Sequence, residues 1–303
     1  PSTDRMAEAV EVAEKAEVVV MIMGLSSAVE DEMVFAAVDG VVGGGDRIDI
    51  ALPQPQEDLL RRVHALGKPM VLVLLNGSAL AVNWAAEHIP AIVEAWYPGQ
   101  AGGEAIADVL FGDYNPAGRL PVTFYKSVDD LPPFEDYNME GRTYRYFRGK
   151  PLFPFGHGLS YTTFAYSGLR LSAERIAPGE SVTISVDVQN VGERAGDEVV
   201  QLYVSDVEAS VPVPIRQLQG FERIHLAPGE TKTVTFTLTP RQLSLVDGEG
   251  RRVIEPGTFQ VTVGGCQPGY EDFANGRTKV LAATLEVIGE TTPIENSSIP
   301  YSS

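Results

Sequence analysis

Residues 18–24, VVVMIMG, constrain this chain more than any other stretch. An extended segment with apolar side chains on both faces must be covered from two sides, which is the situation of a strand in a parallel sheet. Two runs of the same kind follow, PMVLVLLNG at 69–77 and AIVEAWYPG at 91–99. Helical patterns separate them. PSTDRMAEAVEVAEKA at 1–16 has alanines and charges suited to a 3.6-residue period, with Ser2 or Thr3 as the cap and Ala16 as the end. The segment 55–66 opens on proline and is followed by Gly67, and AGGEAIADVLFG at 101–112 again stops on glycine. Strand and helix at this pace predict an α/β sandwich over 1–125, a mostly parallel sheet with helices on both faces.

After Tyr166 the pattern changes to alternation. SVTISVDVQNVG, EVVQLYVSD, KTVTFTLTP and GTFQVTVGG have the period of two expected of half-buried strands, and the turn sequence APGE occurs at both 177–180 and 227–230. VLAATLEVIG at 280–289 adds a further strand. Turn signals at this spacing without a helical pattern predict an all-β sandwich over 166–290. The Cys–Trp–Cys signature of immunoglobulin domains is missing, so the fibronectin-III-like form fits better. Between the halves, 126–165 is rich in Pro, Gly and aromatic residues, as in LPPFEDY and RTYRYFRGKPLFPFGHGLSYTTF. Flexible linkers lack such rings, so it reads as an irregular connector pinned by them. Residues 291–303 form a tail expected to fray.

Composition narrows the function. A formal charge of -18 on 303 residues argues against nucleic acid, which needs clustered Lys and Arg. A single cysteine, Cys266, excludes an internal disulfide and a cysteine-built metal site. The four histidines, His64, His88, His157 and His225, show no metal-ligand spacing and read as structural. No metal or cofactor is therefore expected. The longest apolar runs have strand length, so no bilayer-spanning helix is expected. The start shows no secretory pattern and no initiator methionine, which predicts that residue 1 is not the start of the gene product.

GLSSAVEDEM at 24–33 places Glu30, Asp31 and Glu32 in consecutive positions where the first strand stops. Ligands of parallel sheets bind outside the carboxyl ends of the strands, so the position favours a functional carboxyl over a merely solvated loop. Trp96 and Tyr97 with PGQAGG lack both GxGxxG and Walker spacing, and those glycines read as close-packing devices. Asp46 and Arg47 read as a loop-fixing ion pair. The rings of Tyr144, Tyr146, Phe147, Phe153 and Phe155 suit cementing of the domains better than stacking on a ligand.

Several stretches together carry a family likeness. They are VVVMIMGLSSAVEDE followed by GGGDRIDIALPQPQEDLL, then GKPMVLVLLNGSAL, AWYPGQAGGEAIADVLFGDYNPAGRLPVTFY and YRYFRGKPLFPFGHGLSYTTF, and finally RQLQGFERIHLAPGETKTVTF. In this order they resemble the C-terminal part of a glycoside hydrolase of family 3, the beta-glucosidases and beta-xylosidases.

The resemblance implies an exo-acting retaining beta-glycosidase, with beta-glucosidase ahead of beta-xylosidase, and a TIM-like barrel, absent from this chain, carrying the nucleophilic aspartate. It also implies a periplasmic or secreted location, no membrane span, a beta-linked glucoside or oligosaccharide as substrate, and leaves homo-oligomerisation open. The substrate-binding residues remain unassigned. Retaining enzymes need two carboxyl groups about 5–5.5 Å apart, one attacking the anomeric carbon and one donating a proton. In the family the donor is the second glutamate of a Glu-x-Glu pattern, which carries over to Glu32 as general acid/base, with Glu30 as the alternative. The pattern departs from the family at Met33, where glycine is frequent, and in the inserted FAAVDGVVGG. A donor must stay protonated; Glu30 and Asp31 supply like charge, and Met33, Val34 and Phe35 an apolar wall, to raise its pKa. The reading from another class is a non-catalytic module that binds carbohydrate or protein.

Overall fold

A computed structural model of the chain describes residues 5–27, 29–30, 48–274 and 279–294. The chain divides into two compact units. The first comprises Pro1–Tyr114, Thr123–Tyr137 and Gly149–Phe153; the second comprises Asn115–Val122, Asn138–Arg148 and Pro154–Ser303. The Pro- and aromatic-rich stretch is thus shared between them, segment by segment.

The first unit opens with α1 (Met6–Glu14) and β1 (Val19–Gly24), followed by α2 (Gln54–His64), β2 (Met70–Leu75), α3 (Asn83–His88), β3 (Ala91–Glu94) and α4 (Gly102–Phe111). α1 stops two residues short of the expected Ala16, because Lys15 and Ala16 donate to the carbonyls of Val12 and Ala13 and tighten the last turn. The expected caps Ser2 and Thr3 lie outside the described residues. α2 begins as anticipated, with proline in its first turn, Glu57 beside it, and Arg61, Arg62 and His64 at the other end, charges that complement the helix dipole. Gly67 and Gly112 take positive φ values of 68° and 82° after α2 and α4, the left-handed stop that glycine permits.

The three strands pair in parallel, in the order β1-β2-β3. The register runs from Val19 opposite Met70 to Gly24 opposite Leu75, and from Val71 opposite Ala91 to Leu74 opposite Glu94. The carboxyl ends of all three strands therefore lie side by side. β2 is the central strand and is the one buried as its composition demands, with Leu72, Val73 and Leu74 essentially inaccessible. β1 differs from expectation. It lies at the edge of the described sheet, and Val20 and Ile22 are 43% and 59% exposed, so the described residues cover it on one face only. α3, which the sequence reading passed over, is six residues long and too short to show a helical period.

The second unit holds α5 (Thr143–Tyr146) and then β4 (Phe164–Leu171), β5 (Arg175–Ile176), β6 (Val182–Asn190), β7 (Gly196–Asp206), β8 (Gln217–Leu226) and β9 (Thr231–Leu238). It continues with β10 (Leu245–Val246), β11 (Arg252–Ile254), β12 (Gly257–Gly264), β13 (Val280–Val287) and β14 (Thr292–Pro293). One sheet has the order β5-β13-β12-β7-β8 and another β4-β6-β9, with a small sheet β10-β11-β14 beside them. Apart from a short parallel contact of β5 with β13, the pairing is antiparallel. Alternate residues Val182, Ile184, Val186 and Val188 of β6 share one core with Val200 and Leu202 of β7, Val261 and Val263 of β12 and Leu285 of β13, all at zero exposure. Burying one such side chain contributes about 1.5–3 kcal/mol.

Three of the connector rings pack within the units. Phe153 meets Phe124 edge-on in the first. In the second, Tyr144 stacks on Phe155 with centroids 4.1 Å apart, and its hydroxyl accepts from the Leu218 N–H at 3.0 Å.

Candidate active site

The carboxyl ends of β1, β2 and β3 bring together polar groups that lie far apart in sequence. β1 ends at Gly24, whose φ of 135° suits glycine alone; a Cβ there would lie 2.0 Å from the Leu75 carbonyl oxygen. Gln56 on α2 fixes this end from the side: its Oε1 accepts from the Gly24 N–H and its Nε2 donates to the Gly24 carbonyl, both at 2.8 Å. The chain then turns back, with the Val29 and Glu30 N–H groups donating to the Ser26 carbonyl.

This turn delivers Glu30 to the end of β2. Its Oε2 accepts from the Gly77 N–H at 2.7 Å and its Oε1 from the Ser78 N–H at 2.9 Å. The Ser78 and Tyr97 hydroxyls donate to the same carboxylate. Gly77 has to be small here, since a Cβ would approach Tyr97 Cε2 to 2.8 Å and Glu30 Oε2 to 3.1 Å. Partial burial pushes the Glu30 carboxyl up, but the bonds from the Ser78 and Tyr97 hydroxyls and the Gly77 and Ser78 backbone outweigh it, and the net direction is down. Glu30 is held as an anion.

Next to it lies a carboxyl of opposite character. Glu94, the last residue of β3, accepts from the Trp96 N–H at 3.1 Å through Oε1 and from Asn76 Nδ2 at 3.3 Å through Oε2. Burial is the main cause that moves its pKa up to about 7; the Trp96 N–H and the Asn76 amide oppose the rise, and the negative charge of Glu30 adds to it. Asn76 is fully buried and also donates to the Ser78 carbonyl at 2.9 Å, while its Oδ1 has no hydrogen-bond partner among the described residues. Trp96 has a φ of 53°, a left-handed backbone that a bulky residue adopts at a cost of about 1–3 kcal/mol and that clusters at functional sites.

Glu32, Asp31 and the apolar trio Met33, Val34 and Phe35 lie outside the described residues, as do Asp46, Arg47 and the inserted glycines. Of the sequence-derived donors, only Glu30 is therefore seen, and it is bound as an acceptor. Sequence reasoning did not single out Asn76, Ser78 or Glu94, and gave Tyr97 no role. The available signals were a polar residue closing the apolar run VLVLLN and a lone acid inside AIVEAW, both at strand carboxyl ends. In the PGQAGG run the close-packing reading holds at Gly102, where a Cβ would meet Pro98 Cγ at 2.4 Å, whereas Gly99 is needed for its φ of 71°. No group of three or more His, Cys, Asp or Glu among the described residues could hold a metal ion. No described helix is long and apolar enough to cross a membrane.

Comparison with known proteins gives the chain its family. The glycosyl hydrolase family 3 C-terminal domain matches residues 2–161, and the fibronectin type III-like domain matches residues 198–267. The chain belongs to glycoside hydrolase family 3, as the C-terminal part of such an enzyme. It is 42% identical over 268 residues to a beta-xylosidase of Formosa agariphila, covering 87% of this chain and 36% of that protein. It is 43% identical over 269 residues to a periplasmic beta-glucosidase of Salmonella typhimurium, covering 85% and 34%. Among solved structures, a beta-glucosidase from Erythrobacter marinus superposes with a TM-score of 0.80 at 38% identity, covering 93% of this chain and 36% of that one. The chain thus spans about a third of the length of the relatives it matches.

Proposed function

We propose that this chain is the part of an exo-acting retaining beta-glycosidase that supplies the general acid/base, Glu32, to a nucleophilic aspartate on a TIM-like barrel. The observation that carries the choice of residue is the binding of Glu30. A carboxylate that accepts from two backbone amides and two hydroxyls is stabilised in its charged form and is a poor proton donor. Glu32, two residues further along, is left for that role, with the Glu30 charge close in sequence to help keep it protonated.

In this reading the aspartate attacks the anomeric carbon, the bond to the leaving oxygen breaks, and the Glu32 proton passes to that oxygen. Glu32, now a carboxylate, takes a proton from the water that attacks the glycosyl–enzyme bond, and the sugar leaves with retained configuration. The substrate is a terminal non-reducing beta-D-glucosyl residue. The names of the relatives favour a second reading as well: the beta-xylosidase and the beta-glucosidase are 42% and 43% identical, so the chain's own likeness does not separate the two sugars. In the complete protein we expect helices on both faces of the sheet, the donor segment within 1–125, and a periplasmic or secreted location.

The test is Glu32→Gln in the full glycosidase that contains this chain. Loss of the proton donor should lower kcat/KM on phenyl beta-glucoside by roughly 10²–10⁴ while sparing dinitrophenyl beta-glucoside, whose leaving group needs no proton. Turnover of both substrates near the unsubstituted level would remove Glu32 from the role. A nitrophenyl glycoside panel on the same enzyme reads the sugar. No hydrolysis of any of them would leave the non-catalytic binding module standing.

A further inference from the structure

The Glu30 anchor is itself supported from behind. Gly77 and Ser78, which supply its backbone donors, follow directly on Asn76, and Asn76 Nδ2 donates to the Ser78 carbonyl at 2.9 Å. The Asn76 amide therefore closes the turn that presents both N–H groups to Glu30. The same Nδ2 donates to Glu94 Oε2 at 3.3 Å, and the other oxygen of Glu94 accepts from the Trp96 N–H. Trp96 precedes Tyr97, whose hydroxyl donates to Glu30. Glu94 thus touches both arms of the anchor: one through Asn76 to the Gly77–Ser78 turn, the other through the left-handed Trp96 backbone to Tyr97.

We propose that Glu94 and Asn76 are positioning residues for the acid/base step, setting the ends of β2 and β3 so that their donors grip Glu30 and hold the start of the segment that carries Glu32. This rests on the reading of Glu32 as the donor. Neither residue touches substrate in the proposal; they act through Glu30. The chemistry of Glu94 suits the role when it is protonated. A neutral acid beside the Glu30 anion avoids the repulsion that a second carboxylate would bring, and burial favours that form. Its O–H is then also a donor in the neighbourhood of Asn76 Oδ1, the buried acceptor without a partner among the described residues.

The distinction from a merely structural role lies in leaving-group dependence. Misplacing a proton donor slows substrates that need the proton and spares those that do not, whereas general loss of fold slows both alike. In the full glycosidase, Glu94→Ala and Asn76→Ala should lower kcat/KM on phenyl beta-glucoside by roughly tenfold or more and on dinitrophenyl beta-glucoside by less than about threefold. Glu94→Gln, neutral and of the same shape, should stay within about twofold of the unsubstituted enzyme on both. If the alanine variants do not fold, Glu94→Asp, one methylene shorter, takes their place with the same expectation. Equal losses on the two substrates, no loss, or a glutamine variant as damaged as the alanine variant would overturn the proposal. Glu32→Gln run in parallel separates the two failures. Leaving-group discrimination in that variant but not in those at 94 and 76 sinks the positioning role alone; its absence at Glu32 sinks the donor assignment.

Discussion

Each unit withdraws a glutamate from water, Glu198 almost wholly and Glu94 in part, and the two are given different surroundings. In the sandwich, Glu198 of β7 is almost wholly buried, but it is matched: Arg119 Nη2 lies 2.9 Å from Oε2, and the Tyr166 hydroxyl donates to Oε1 at 2.7 Å. Arg119 also donates to the carbonyls of Ala117 and Gly118. In the α/β unit, Glu94 has no cation among its hydrogen-bond partners in the described residues; it faces an amide, a backbone N–H and the charge of Glu30. Burial raises the pKa of both; at Glu198 the Arg119 charge and the bonds from Tyr166 and Arg119 oppose the rise, whereas at Glu94 the charge of Glu30 adds to it. Glu94 also stands beside a strained tryptophan backbone at the strand ends where ligands of parallel sheets bind.

The largest way to break this contrast is to leave Glu198 unmatched. Arg119→Ala should destabilise the second unit by about 3–5 kcal/mol, because the charge left behind has lost its partner. Chemical denaturation of the chain measures it, and a cost near that of an exposed ion pair would show Glu198 to be less dependent on Arg119 than its burial implies.

A steric version of the test addresses the anchor in the α/β unit. Gly77→Ala places a methyl against the Tyr97 ring and Glu30 Oε2, at an expected cost of about 1–3 kcal/mol. Thermal melting reads the cost, and the same variant should weaken the leaving-group selectivity described above.

The state of Glu94 can be sharpened by pH. Its folded pKa, about 7, lies above the ordinary glutamate value of 4.5, so the protonated acid favours the folded state at low pH and that contribution is lost as pH rises through 7. Glu94→Gln should therefore be more stable than the unsubstituted chain at pH 8, on the order of 1 kcal/mol after solvent screening, and lose that advantage by about pH 4. Melting curves at the two pH values decide it. An advantage independent of pH would mean that Glu94 does not titrate in this range.

At the small end, the exposed pair of Lys15 with Glu11 on α1 joins neither of these glutamates. Glu11→Gln should change stability by less than about 0.5 kcal/mol.

Much of the fold was legible because its signals are local. The glycine stops after α2 and α4 need only a left-handed residue, and the strict alternation of SVTISVDVQ needs only one buried face. β8 was harder, since its residues from Gln217 to Glu222 do not alternate cleanly and a register shift falls opposite Leu202 and Tyr203. The exposed face of β1 was not legible, because VVVMIMG states that the strand can be covered on both sides and not which chain covers it. The site was legible only as an acidic turn after β1. That Glu30 is the anchored member depends on Gly77, Ser78 and Tyr97, which lie 47 to 67 positions away and meet it only when the strands align.

The proposed division of labour between Glu30 and Glu32 has one direct measurement. In the full enzyme, Glu32→Ala and Glu30→Ala are each supplied with dinitrophenyl beta-glucoside and sodium azide, and the products are analysed. Azide needs no general base, so it should restore turnover to the Glu32 variant and yield a beta-glucosyl azide, while the Glu30 variant should still hand its glycosyl group to water. A beta-glucosyl azide from the Glu30 variant, with the Glu32 variant unmoved by azide, would reverse the two roles.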